Sequence, residues 1–188
     1  MPDASQPGSA RRTQLLELAY AHVLRHGLLD MSLRPLAEAV GSSPRVLLYL
    51  FGSKDGLVQA VIERARVDEL ALLDAIPRGA GLAAVGRAIW GWLADPEHRD
   101  LLRLWVEGYA RSLVEPVGAW AGYAAGSVES WLRILVDVQD DPVAGTAVLA
   151  LLRGALLDLL ATGDVARTTA AVHAQLARVA QPDGEVVH

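Results

Sequence analysis

Between Pro44 and Phe51 the chain reads Pro-Arg-Val-Leu-Leu-Tyr-Leu-Phe. Wound as a helix at about 100° per residue, Leu47, Leu50 and Phe51 fall on one side and Arg45, Val46 and Tyr49 on the other. The first group suits a core. The second is a poor surface for water and a good one for nucleic acid: a guanidinium and a branched alkyl group suit base edges and thymine methyls, and a phenol hydroxyl reaches a phosphate. Ser43, just before the segment, adds a hydroxyl and the free N–H groups of a helix start, which also favour phosphate. Geometry alone leaves a second reading open, because two short helices joined at a glycine also make an ordinary packing corner.

A second concentration of functional side chains lies further on. Seven of the ten aromatic residues fall between positions 90 and 131, namely Trp90, Trp92, Trp105, Tyr109, Trp120, Tyr123 and Trp131. Trp105 and Tyr109 share a helix face, with Arg103, Glu107 and Arg111 interleaved. Such a cluster either fills a core or lines an apolar pocket whose few polar groups select a small molecule. On the pocket reading the ligand-binding residues are Trp90, Arg103, Trp105, Glu107, Tyr109, Trp120, Tyr123 and Trp131. Gly118, Gly122 and Gly126 recur every four residues on a segment expected to form one helix over 116–138. There they imply close helix approach or room for a ligand, since each internal glycine costs about 1 kcal/mol against alanine.

Chemistry of other kinds finds no support. The chain lacks the glycine-rich phosphate loops, the nucleophile elbow and the His-Glu-x-x-His zinc motif. His22 and His26 are one helical turn apart with no carboxylate a turn away, and His98 and His173 have no catalytic partner. Asp140-Asp141 reads as a helix cap. With no cysteine, disulfides, thiol catalysis and cysteine-bound zinc are excluded, which fits a reducing cytoplasm. The expectation is a non-enzyme with no catalytic residue, no metal and no cofactor.

The elements that must position these residues are helical throughout, giving an all-α fold. The first helix runs from about Ala10 to His26 and stops at Gly27. Ser32 caps a short second helix that Gly41 breaks, and Ser43 caps the third, with Pro44 at its first position. A long fourth helix opens after Ser53 and runs to about Ala75; others follow at roughly 81–94, 97–112, 116–138, 142–162 and 164–180. Residues 1–9 read as a disordered tail and 183–188 as a frayed one. The 188 residues are 52% hydrophobic with a mean hydropathy of +0.27, a surplus that calls for burial beyond one core, in a cavity or against a partner subunit. The longest uncharged stretch, Pro116–Val128, is 13 residues and carries three glycines. That is short of the ~18 residues a membrane span needs. The first ten residues hold no apolar run of a secretory signal, so a cytoplasmic protein with no membrane partner is expected.

Two further patterns bear on partners. The net charge is −5, yet residues 1–57 hold six basic and five acidic residues against 11 and 17 in the remainder, so the N-terminal part is the side able to face phosphates. Near the C-terminus, residues 142–160 carry only Arg153 and Asp158 as charges, and Val165, Thr169, Val172, Leu176 and Val179 follow a 4-3-4-3 spacing. These stripes, with Val148, Leu152 and Leu156 on the preceding helix, predict a two-fold four-helix interface and hence a homodimer.

The run Ser32-Leu-Arg-Pro-Leu-Ala-Glu-Ala-Val-Gly41, then Ser-Ser-Pro-Arg-Val-Leu-Leu-Tyr-Leu-Phe51, then Gly-Ser-Lys-Asp-Gly-Leu57, resembles the N-terminal domain of TetR-type transcriptional regulators. The segment from Arg12 to Gly27 is similar to that family's first helix, so the likeness covers about 50 residues without a gap. The resemblance implies a helix-turn-helix DNA-binding domain over 10–54, with its motif at about 32–51, and a helical effector-binding and dimerisation domain over 55–182. It implies a dimeric regulator, a repressor released from a palindromic double-stranded operator by a small, largely apolar effector. Lys54 matches the family's backbone-contacting lysine. Arg45 and Val46 are then expected at bases, and Arg34, Ser43, Tyr49 and Lys54 at phosphates. The chain departs from the family at Leu48 and Leu50, where tyrosine or histidine is common, so those family contacts do not carry over. The alternative is a helical small-molecule-binding dimer with weak or no DNA binding.

Overall fold

A computed structural model describes residues 7–28, 32–71, 79 and 81–179. All regular structure among them is helical: α1 Pro7–His26, α2 Leu33–Ala39, α3 Pro44–Phe51, α4 Lys54–Ala71, α5 Leu82–Leu93, α6 Arg99–Val114, α7 Tyr123–Gln139, α8 Pro142–Thr162 and α9 Val165–Val179, with 3-10 turns at Pro96–His98 and Gly118–Trp120. The expected all-α class stands. Helix α1 starts at Pro7, so 7–9 are helical and not tail. The expected last turn of the fourth helix and the C-terminal tail lie outside the described residues.

The chain divides into two compact units, Met1–Leu70 with Asp100–Ala124, and Ala71–Arg99 with Ala125–His188. In the first, one apolar face from each short helix meets α1 and α4. Leu15, Ala19 and Val23 of α1, Leu36 and Ala37 of α2, Leu47 and Phe51 of α3, Leu57 and Val61 of α4 and Leu104 of α6 form a single core. The caps follow the sequence closely. Ser43 accepts the Val46 N–H at 3.3 Å, and Ser53 accepts the Gly56 N–H at 2.9 Å. Ser32 occupies the N-cap position of α2 without a side-chain capping bond.

Helices α1 and α4 are also tied by polar groups. Arg64 pairs with Glu17 and Asp68, and the Tyr20 hydroxyl donates to Asp68 at 2.7 Å. Burial and the Asp68 carboxylate push the Tyr20 hydroxyl well above its ordinary range, so it stays protonated as a donor.

In the second unit, Leu82, Val85, Ile89 and Trp90 of α5, Leu135 of α7, Val148, Leu152 and Leu156 of α8, and Val172 and Leu176 of α9 are buried. The approach of α5 is close: a Cβ added at Gly86 would sit 2.8 Å from Leu176 Cδ2. Asp141 caps α8 by accepting the Val143 and Ala144 N–H groups, both at 2.9 Å. At the other end Arg167 forks onto Asp158 at 2.6 and 2.8 Å and reaches Asp164, fixing the start of α9. By length and composition α8 could cross a membrane, with a mean hydropathy of 1.8 over its most apolar window. The uncharged-run criterion missed it because Arg153 and Asp158 interrupt the run without lowering that average.

The expected single helix over 116–138 does not exist. Gly118 and Gly122 have φ of +56° and +74°, a region that breaks a right-handed helix, so a 3-10 turn and a bend precede α7. The three glycines therefore do not line one helix face. Ser112 organises the bend: its hydroxyl donates to the Trp120 carbonyl at 2.7 Å and accepts the Ala124 N–H at 3.0 Å, and it is buried. Ser112→Ala strands two buried backbone groups and is expected to lower stability by about 1–3 kcal/mol in urea unfolding.

Candidate nucleic-acid interface

Helices α2 and α3 meet across Gly41-Ser42, and their buried sides face α1. That packing fixes which residues α3 turns outward. Leu47 and Phe51 are buried, Leu50 is half-buried, and Arg45 is exposed beside Tyr49, which is 86% exposed. Val46 is exposed at the margin. Pro44 takes the first helical position and Gly52, at φ +79°, ends the helix, so the outward face is short and fixed at both ends.

The surrounding cations are also outward. Arg34 at the start of α2 and Lys54 at the start of α4 are exposed, as is Ser43 at the start of α3. Arg12 of α1 lies over the Phe51 ring, 4.9 Å from its centre. All six residues expected at DNA thus lie on the surface of one compact unit. The sequence reading missed Leu48. It is 39% exposed, about as much as Val46 at 38%. Its angular position, about 60° from Arg45, follows from the helical period alone.

The aromatic residues are divided between the units. Trp90 and Trp131 belong to the second unit and are buried there. The Trp90 indole N–H donates to Thr169 Oγ1 at 3.0 Å. Arg103, Trp105, Glu107, Tyr109, Trp120 and Tyr123 belong to the first unit. Trp105 and Tyr109 meet with ring centres 5.0 Å apart and planes tilted by 35°. Trp120 and Tyr123 pack against the unit's core above Gly108, where an added Cβ would come within 3.0 Å of Tyr123 Cε1. Burial raises the Tyr123 hydroxyl well above its ordinary range, and nearby Glu69 adds to this. Arg103 is exposed and 3.6 Å from Asp100. Glu107 points back at α1 and accepts the Leu28 N–H at 2.6 Å.

The interface residues expected on α8 and α9 divide in another way. Val148, Leu152, Leu156, Val172 and Leu176 are buried within their own chain, and Thr169 is bonded to Trp90. Of the eight, Val165 is exposed and Val179 partly so. The heptad-like spacing of α9 reflects packing against helices of the same unit. The outward stripe of α8 is instead Val143, Ala147, Ala150, Gly154, Leu157 and Ala161, and that of α9 is Ala166, Ala170, Ala174 and Ala177. A groove of about 400 Å³ beside them is lined by Ala147, Val148, Leu151, Gln175, Arg178 and Val179.

The remaining titratable pairs are structural. His22 and His26 stack with ring centres 4.2 Å apart, and burial, then His26 and Arg25, lower the His22 imidazole from its ordinary value. His98 stacks on Trp92. Among the described residues, no three histidine or acidic side chains come together to hold a metal ion.

Two short helices joined by a turn, with the second turned outward and longer helices around them, make the geometry of a helix-turn-helix. No family model and no curated protein matches the chain in sequence. Solved structures match it in fold. A TetR transcription regulator from Haloarcula marismortui superposes with a TM-score of 0.73 at 15% identity, covering 90% of this chain and 96% of that one. The multidrug binding protein EbrR in complex with imidazole gives 0.72 at 23% identity over 94% and 96%, and its proflavin complex gives 0.64 at 25% over 88% and 99%. A TetR-like regulator from Rhodococcus sp. RHA1 gives 0.64 at 20% over 96% and 98%. The chain has the fold of TetR-family transcriptional regulators.

Proposed function

We propose that this protein is a dimeric DNA-binding transcriptional regulator whose α3 enters the major groove. The observation that carries the proposal is the outward face of α3, where Tyr49 is 86% exposed beside Arg45 while the opposite face is buried. With Val46 and Leu48 also exposed, Tyr49 is part of a contiguous patch on this eight-residue helix, and such a patch suits a partner surface. Arg45 and Val46 address bases, and Arg34, Ser43, Tyr49 and Lys54 address phosphates.

A palindromic operator requires two such faces. The small residues exposed along α8 and α9 leave room for two copies to bring these helices into close contact as a four-helix interface. The recognition helices then address half-sites about one DNA turn, ~34 Å, apart.

The regulator is a repressor that a small, largely apolar effector releases. EbrR, similar in fold, is a multidrug binding protein seen with imidazole and proflavin. Trp105, Tyr109, Trp120 and Tyr123 offer aromatic surface for such a molecule. The Glu107 carboxylate on the Leu28 N–H gives α6 a direct hold on the end of α1, so displacing α6 strains the unit that carries α3.

The test is binding of the purified protein to duplex DNA across a salt series. Affinity is expected to fall linearly with salt on logarithmic axes, and Lys54→Ala to weaken all sequences and flatten the slope by about one. Binding that is absent at low salt would favour the small-molecule-binding dimer instead.

A further inference from the structure

We propose that Leu48 is a specificity-determining residue that reads the 5-methyl group of thymine, so that each half-site presents thymines beside the base read by Arg45. The inference rests on the DNA-reading function proposed above and deepens it.

On a helix surface Arg45 lies one turn from both Leu48 and Tyr49, and Val46 lies one turn from Tyr49. The outward face of α3 is therefore a ridge of Arg45 and Tyr49 bracketed by two alkyl groups, Val46 on one side and Leu48 on the other. Their exposures, 38% and 39%, are nearly equal. The adjacent Leu47 is fully buried, so the core position in this turn is already filled and Leu48 is not needed there.

The chemistry of the helix narrows what this face can read. Pro44–Phe51 contains no carboxylate and no side-chain amide. It thus lacks the acceptor that selects the cytosine amino group and the bidentate amide that selects adenine. The Ser43 hydroxyl accepts the Val46 N–H, so it is engaged in capping. Arg45 is the one charge on the helix, and its natural base is guanine. The other feature unique to a base pair in the major groove is the thymine methyl, which needs an apolar partner and nothing more. Leu48 and Val46 are those partners.

The experiment begins with duplexes selected from random DNA by the full-length protein. A selected duplex is remade with 2′-deoxyuridine replacing thymidine at single positions inside the half-site, and outside it as a control. Deoxyuridine keeps every hydrogen bond and removes only the methyl group. Affinity of the unaltered protein is expected to fall about fourfold for each contacted methyl. Leu48→Ala, shown to be folded by circular dichroism, is expected to lose that sensitivity at one thymine and keep it at the thymine read by Val46. Equal binding of the thymine and uracil duplexes by the unaltered protein overturns the inference and leaves DNA reading intact, as does a Leu48→Ala variant with undiminished sensitivity at every thymine. A selection that enriches no sequence overturns the DNA-reading function, and this inference with it.

Discussion

Trp90→Ala is expected to destabilise the second unit by about 3–5 kcal/mol. Trp90 is 1% exposed, and its indole bonds Thr169 across from α5 to α9. The variant removes a ring surrounded by packed side chains and leaves the Thr169 hydroxyl without its donor. Urea unfolding should show a lower midpoint for the transition of this unit. Trp90→Phe separates the two contributions: it restores most of the ring and should cost less, chiefly the lost hydrogen bond, about 1 kcal/mol. A Trp90→Ala variant with nearly unchanged stability would mean that the ring lines open space, as its place in the expected ligand set implied.

Arg45→Ala is expected to weaken binding to a selected sequence by about 1–3 kcal/mol, ten- to a hundredfold, and to relax the preference at one base pair of each half-site. Because Arg45 is exposed and α3 carries no carboxylate, its removal leaves folding intact. Binding to unrelated duplexes should change far less, since that affinity resides in phosphate contacts. This contrast with Lys54→Ala, which should weaken every sequence alike, assigns the two residues to base and backbone. Unchanged base preference in Arg45→Ala would place the reading elsewhere on the face.

The helix-turn-helix was legible because its local signals agree. Ser43, Pro44 and Gly52 fix both ends of α3, and the alternation of buried and exposed positions follows from the helical period alone. The second half was less so. Gly118, Gly122 and Gly126 have a spacing compatible with one helix face, yet two of them adopt positive φ and bend the chain, a conformation that spacing cannot reveal. The Val165–Val179 stripe has the spacing of a helix seam, but any helix packed against another shows it, whichever chain supplies the partner. Only burial separates the cases: Val172 and Leu176 are wholly buried in their own unit, while a stripe of alanines, weak in any hydropathy pattern, is left outside. Glu107 interleaves with aromatics in the sequence, while its bond to Leu28 joins residues 79 apart, which no local pattern encodes.

The most direct test of the central claim is selection of duplexes from random DNA by the purified protein, followed by sequencing. The account predicts an enriched inverted repeat, its half-site centres about 10 base pairs or a multiple of that apart. Recovery of the starting pool unchanged, at a salt concentration low enough to hold nonspecific complexes, would contradict it.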